Sequence, residues 1–94
     1  MDVVWREVAI DSMEHARRYI AEHNPSAADR IFETILAAVA RLADMPNMGR
    51  PGRVDGTREL VVVGTPNLVA YTVIGDVLHI IAVQHGAQEW PERF

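Results

Sequence analysis

The chain has 94 residues, 49% hydrophobic and 23% charged, the make-up of one soluble globular domain over residues 1–94 rather than of a disordered chain. Its formal net charge is −4 and its nine basic side chains are all arginine, which disfavours a protein that coats many phosphates but leaves room for a local arginine site. It has no cysteine, so disulfides and thiolate metal sites are excluded, and no apolar run nears the roughly 18 residues needed to span a bilayer.

Residues 2–5 form a short β-favouring segment around Val3, Val4 and Trp5, too short to stand without neighbours, and read as an edge strand. Nothing in these first residues has the basic-then-apolar order of a signal peptide, so the expected location is the cytoplasm. From residue 7 to 23, Ile10, Met13, Ala16 and Ile20 recur at three- and four-residue steps while Asp11, Glu14, Arg18 and Glu22 lie off that stripe, which predicts an amphipathic helix. Pro25 disfavours the helical conformation at Asn24 and ends this helix, and Asn24 can cap a second one with Pro25 at its first position. That second helix is expected over residues 25–43, burying Ala28, Ile31, Ile35, Val39 and Leu42, with Phe32 and Leu36 widening the face. The tight join makes an antiparallel helical hairpin.

Met45-Pro46-Asn47-Met48-Gly49 closes the second helix and leads into a Gly/Pro-punctuated loop with three arginines, Arg50, Arg53 and Arg58. Three Val/Ile/Leu-rich runs follow, at residues 58–63, 67–74 and 77–84, separated by Gly64-Thr65-Pro66 and by the two-residue turn Gly75-Asp76. They predict an antiparallel meander. The order β-α-α-β-β-β is an α+β fold in which a helical hairpin packs on a small, mostly antiparallel sheet. Two helices cover one face of such a sheet. Residues 60–63 and 78–83 are apolar at successive positions, so part of the other face is expected to meet a partner.

The ordered set Asn24-Pro25, Ala28 and Arg30, then Leu42, Pro46 and Gly49-Arg50-Pro51-Gly52-Arg53-Val54, then Thr57-Arg58-Glu59-Leu60, Leu68-Val69-Ala70-Tyr71 and His85-Gly86-Ala87 resembles the RelE/ParE superfamily of toxins from type II toxin–antitoxin modules. The resemblance spans nearly the whole chain. It implies the same architecture and a cognate antitoxin whose extended and helical segment wraps the toxin, giving a hetero-oligomer. It also implies one of two activities: RelE-like members cleave mRNA on the ribosome, and ParE-like members poison DNA gyrase. Where the RNase branch places basic residues at the end of one strand and the start of the next, this chain has Val63 and Leu68, and its tail offers only His85 and Arg93. His85-Gly86-Ala87 and Gly49-Arg50-Pro51 look like the ParE branch. The expectation is a gyrase-binding toxin that is not an enzyme. The alternatives are a ribosome-dependent mRNA endonuclease and a non-toxic module that retains only the antitoxin-binding fold.

The candidate contacts to a target are Arg50, Arg53, Arg58, His85, Gln88 and Trp90. A guanidinium presents a planar fork to phosphate or carboxylate and stays charged. The plainer alternative is that Arg58 pairs with a nearby carboxylate and the loop arginines are merely solvated. If the chain is an RNase, Arg53, Arg58, Glu59 and His85 are the candidate catalytic residues. Glu59 would orient His85, whose unperturbed pKa is near 6.5, provided that strand pairing brings the two together. His79 reads as a half-buried sheet residue, Tyr71 as a core residue with its hydroxyl satisfied, and Trp90 as an anchor for the tail. His15, His23, His79 and His85 have no ligand-like spacing, so neither a metal nor a cofactor is expected.

Overall fold

The computed structural model describes residues 1–85; the expectations for Gln88, Trp90 and Arg93 lie outside the described residues. Seven elements follow in order: β1 (Asp2–Trp5), α1 (Glu7–His23), α2 (Pro25–Asp44), β2 (Arg50–Pro51), β3 (Arg58–Val61), β4 (Asn67–Ile74) and β5 (Val77–His85). The expected α+β architecture is present, with the five strands in one sheet ordered β1-β5-β4-β3-β2. β1 is an edge strand and pairs parallel to β5, from Asp2 opposite Val77 to Trp5 opposite Ile80, while the other pairings are antiparallel.

The helical hairpin forms because Asn24 serves both helices. Its N–H donates to the Ile20 carbonyl and closes α1, and its own carbonyl accepts from Ala27 N–H to open α2. Its side chain does not cap α2. The carboxamide oxygen instead accepts from the Ser26 hydroxyl, and Pro25 at the first helical position needs no partner for a missing N–H. On α2, Ala28, Ile31, Ile35, Val39 and Leu42 are buried as the periodicity predicts, whereas Leu36 is exposed. On α1 the inward stripe is rotated from the expected one. Ala9 and Met13 are buried and Ile10 faces solvent, because position 9, four residues before Met13, is on the sheet side.

Ala9, Met13, Ile31, Ile35, Leu42, Val62, Val69, Tyr71, Leu78, Ile80 and Val83 form the main core between hairpin and sheet. Each large aliphatic side chain buried there contributes about 1.5–3 kcal/mol of hydrophobic free energy. The two sheet faces are read from the register. Arg58, Leu60, Val69, Tyr71 and Val83 lie on the helix side, and Glu59, Val61, Leu68, Ala70 and Ala82 on the far side. Ala70, Ile81 and Ala82 form a second, smaller cluster on that far side, so this stretch of β5 is buried on both faces. Exposed large apolar residues lie elsewhere, among them Val4, Val61, Val63, Val73 and Ile74 and, on α1, Val8, Ile10 and Tyr19.

The β4–β5 hairpin turns through Gly75 and Asp76 with Ile74 opposite Val77, and Gly75 supplies the positive φ, 60°, that such a turn requires at its first central position. β3 ends at Val61 rather than at Val63. Thr65 donates both its N–H and its hydroxyl to the Val62 carbonyl, which bends residues 62–65 into a turn before β4 begins.

Candidate functional site

The arginine loop leaves α2 over the helix side of the sheet, and Tyr71 holds it there. The Tyr71 hydroxyl donates to the Pro46 carbonyl at 2.6 Å and accepts from the Gly49 N–H at 2.9 Å. A β-carbon on Gly49 would lie 2.6 Å from that hydroxyl oxygen and 2.9 Å from the Glu59 carbonyl oxygen, so the close approach requires glycine. Arg58, opposite Tyr71 in the ladder, donates from Nη1 to the Gly49 carbonyl at 2.7 Å. Burial pushes the Tyr71 hydroxyl above its ordinary pKa of 10.0, against the opposing effects of the Gly49 N–H and the Arg58 charge.

Past Gly49 the chain reaches the sheet edge as β2, with Arg50 opposite Glu59 and Pro51 opposite Arg58. Glu59 faces the far side and its side chain is only 2% exposed. A carboxylate so buried needs partners. One oxygen accepts from the Arg53 backbone N–H at 2.8 Å and the other from Arg50 Nη2 at 3.3 Å. Arg53 Nε stands 3.9 Å from the first oxygen, close enough for Coulomb attraction but too long for a hydrogen bond. The loop between is closed by Gly52 N–H to the Thr57 carbonyl, by Thr57 to the Val54 carbonyl and by the Thr72 hydroxyl to the Gly56 carbonyl. Arg50 and Arg53 are therefore laid across one buried carboxylate, with side chains about half exposed.

The candidate residues thus fall into three places. Arg50, Arg53 and Glu59 come together at the β2–β3 edge. Arg58 lies on the opposite face and grips a backbone carbonyl rather than the carboxylate that the plainer reading gave it. His85 pairs with Asn67, three residues along β4 from the Ala70 that pairs with Glu59. An odd separation puts Glu59 and His85 on opposite faces of the sheet, so the acid–base pair does not assemble. Val63 is exposed and Leu68 buried.

A second surface was not foreseen in the sequence. An open groove of about 760 Å³ runs between α1 and the end of β5, lined by Val8, Ser12, Tyr19, Asn67 and His85 among others. Ser12 stitches its floor, since its hydroxyl accepts from the Val83 N–H at 2.9 Å and donates to the Ala9 carbonyl. Asn67 is 2% exposed, and its Nδ2 has no hydrogen-bond partner among the described residues. A lone serine on a helix face and an asparagine after a proline carry no sequence signal for these roles. Among the described residues, no group of three or more His, Cys, Asp or Glu side chains is placed to hold a metal ion, and no helix is long and apolar enough to cross a membrane.

The family model for the ParE toxin of the type II toxin–antitoxin system parDE matches residues 3–90. The chain belongs to the ParE toxin family. Within the wider RelE/ParE superfamily, Y4kP of Sinorhizobium fredii, which carries a toxin designation, is 39% identical over 88 residues, covering 94% of this chain and 91% of the relative. Toxin RelE2 of Caulobacter vibrioides is 35% identical over 86 residues, covering 92% of this chain and 96% of the relative. A structure titled as the chromosomal ParDE toxin–antitoxin system from P. aeruginosa superposes with a TM-score of 0.81 at 22% identity, covering 90% of this chain and 95% of that one. It shares the ParE toxin fold.

Proposed function

We propose that this chain arrests growth in the cytoplasm by binding DNA gyrase, without catalysing a reaction, and that a cognate antitoxin binds and neutralises it. The observation that carries the reading is the separation of the RNase candidates. Glu59 and His85 face opposite sides of the sheet, Glu59 is engaged by Arg53 and Arg50, and Arg58 is spent on the Gly49 carbonyl. General acid–base chemistry needs its groups within hydrogen-bond reach of one reacting centre. What remains is a rim of half-exposed arginines beside exposed valine, and arginine is among the residues enriched at the energetic centres of protein interfaces. Membership of the ParE family supports the antitoxin partner. The α1–β5 groove, with exposed Val8 and Tyr19, offers apolar surface for such a partner to cover.

The RelE designation of the Caulobacter relative favours a second reading, mRNA cleavage on the ribosome. Gyrase supercoiling and message integrity, assayed side by side with the purified toxin, separate the two. Supercoiling lost with messages intact supports the first reading, and the reverse pattern replaces it with the second.

A further inference from the structure

The sheet has two borders, and β1 forms the one away from the arginine loop. Its register with β5 decides which backbone groups stay open. Arg6 N–H donates to the Ile80 carbonyl at 3.0 Å, and in a parallel ladder every second residue turns both its N–H and its C=O to the neighbouring strand. Asp2, Val4 and Arg6 therefore face β5 with their backbone. Val3 and Trp5 turn their N–H and C=O groups outward, where they have no partner among the described residues.

Side chains alternate with the same period. Val3 and Trp5 pack against the main core on the helix side, so Asp2, Val4 and Arg6 lie along the far side, and all three are exposed, Val4 at 43%. Arg6, which precedes α1, still has extended backbone, with φ −69° and ψ 159°. Neither Asp2 nor Arg6 makes a side-chain hydrogen bond or ion pair among the described residues. Charges on an edge strand normally keep other chains away. These two are opposite in sign and stand at equal distances on either side of Val4, so the stretch Asp2-Val3-Val4-Trp5-Arg6 is complementary to its own reverse.

We propose that the outer edge of β1 is a self-association surface, pairing antiparallel with the same edge of a second copy of this chain about a two-fold axis at Val4. Val3 of each copy exchanges both backbone bonds with Trp5 of the other, which uses every outward group of the strand. Val4 meets Val4 at the axis, where residues that share no backbone bond bring their side chains closest. Asp2 of each copy lies opposite Arg6 of the other, a favourable cross-strand pair. Moving the axis to Val3 or to Trp5 sets Asp2 or Arg6 against Val4 and leaves the other charge without a complement, so side-chain pattern selects the register. The result is one continuous sheet across both copies with the arginine loops at its outer ends. The surface is small, since it rests on a strand of four residues, and interfaces under about 1,200 Å² support weak, reversible association. The pairing uses neither the arginine loop nor the α1–β5 groove, and it does not rest on the gyrase reading.

Analytical ultracentrifugation of the purified full chain, from about 10 to about 500 μM, reads the association directly. The expected result is a monomer–dimer equilibrium for the parent, weakened by at least about fivefold in Asp2→Arg and in Arg6→Asp, because each places like charges opposite one another. An equimolar mixture of the two single variants should recover the parental association, and so should the double variant Asp2→Arg/Arg6→Asp, since opposite charges face each other again in both. Thermal unfolding checks that each variant still folds. If a reversed charge prevents folding, Asp2→Ala and Arg6→Ala replace it, and they should give a smaller loss that shrinks with added salt. A parent that stays monomeric over the whole range overturns the proposal. So does a dimer that the single variants leave unchanged, which puts the interface elsewhere, or a mixture and a double variant that stay as weak as the singles. A monomeric parent whose single variants lose antitoxin affinity also overturns it and gives this edge to the antitoxin.

Discussion

Tyr71→Phe is a sharp test of what holds the arginine loop in place. Tyr71 is fully buried, and its hydroxyl is the partner of both the Gly49 N–H and the Pro46 carbonyl. Phenylalanine fills the same space, so no cavity term arises and the loss is polar. Stranding the buried Gly49 donor costs about 1–3 kcal/mol, and losing the bond to the part-buried Pro46 carbonyl adds about 0.5–1.5 kcal/mol. The expected total is about 2–4 kcal/mol. For a domain of this size each kcal/mol lowers Tm by about 4–8 °C, so thermal unfolding followed by circular dichroism should show a drop of about 8–30 °C. Gly49→Ala, which drives a methyl into the same hydroxyl and into the Glu59 carbonyl, should destabilise comparably. A Tyr71→Phe variant that melts within about 2 °C of the parent would refute the clamp.

Raised pKa at Tyr71 has a definite sign in stability. The native state keeps this proton above 10.0, where an unfolded tyrosine has begun to lose it, so the contribution is full below about pH 10 and is lost as pH climbs through the raised value. Chemical unfolding across that alkaline range should show a decline that Tyr71→Phe lacks; parallel declines would count against it. Glu59→Gln retains an acceptor for Arg53 N–H but gives up the charge facing Arg50. Because both arginines are about half exposed, solvent screening limits the loss to about 1–2 kcal/mol in urea titrations, and a loss that does not shrink with added salt would argue against a charge effect. Ser12→Ala unpairs the Val83 N–H and should cost about 1–2 kcal/mol, with faster amide exchange at Val83 as the local signature; unchanged exchange there would rule out the stitch.

The sequence was most legible where periodicity or turn chemistry acts alone. The buried stripe of α2, the Asn24-Pro25 join and the Gly75-Asp76 hairpin are local features, and each is found where local rules put it. On α1 the stripe shifted to Ala9 because small residues carry little hydrophobic signal of their own, whereas the sheet surface decides which side faces inward. The β2 pairing was invisible because two residues, one a proline, have no strand signature, and their place beside β3 goes with the long-range hold of Tyr71 and Arg58 on Gly49. The same long-range geometry decides the site. Whether Glu59 and His85 meet depends on the parity of residues between their partners on β4, which composition and spacing within each strand do not contain. The family pattern was readable in the order of short motifs, since these mark the turns and close approaches that the fold needs.

The central claim is that this ParE-family chain acts through a protein target, gyrase, rather than through RNA cleavage, and one measurement bears on it most directly. Purified toxin is titrated into a gyrase supercoiling reaction, with and without the cognate antitoxin, while the same preparation is given to a translating ribosome extract whose messages are followed by primer extension. The account predicts dose-dependent loss of supercoiling, its restoration by antitoxin, and intact messages. Normal supercoiling together with codon-specific cuts in ribosome-bound messages would contradict it.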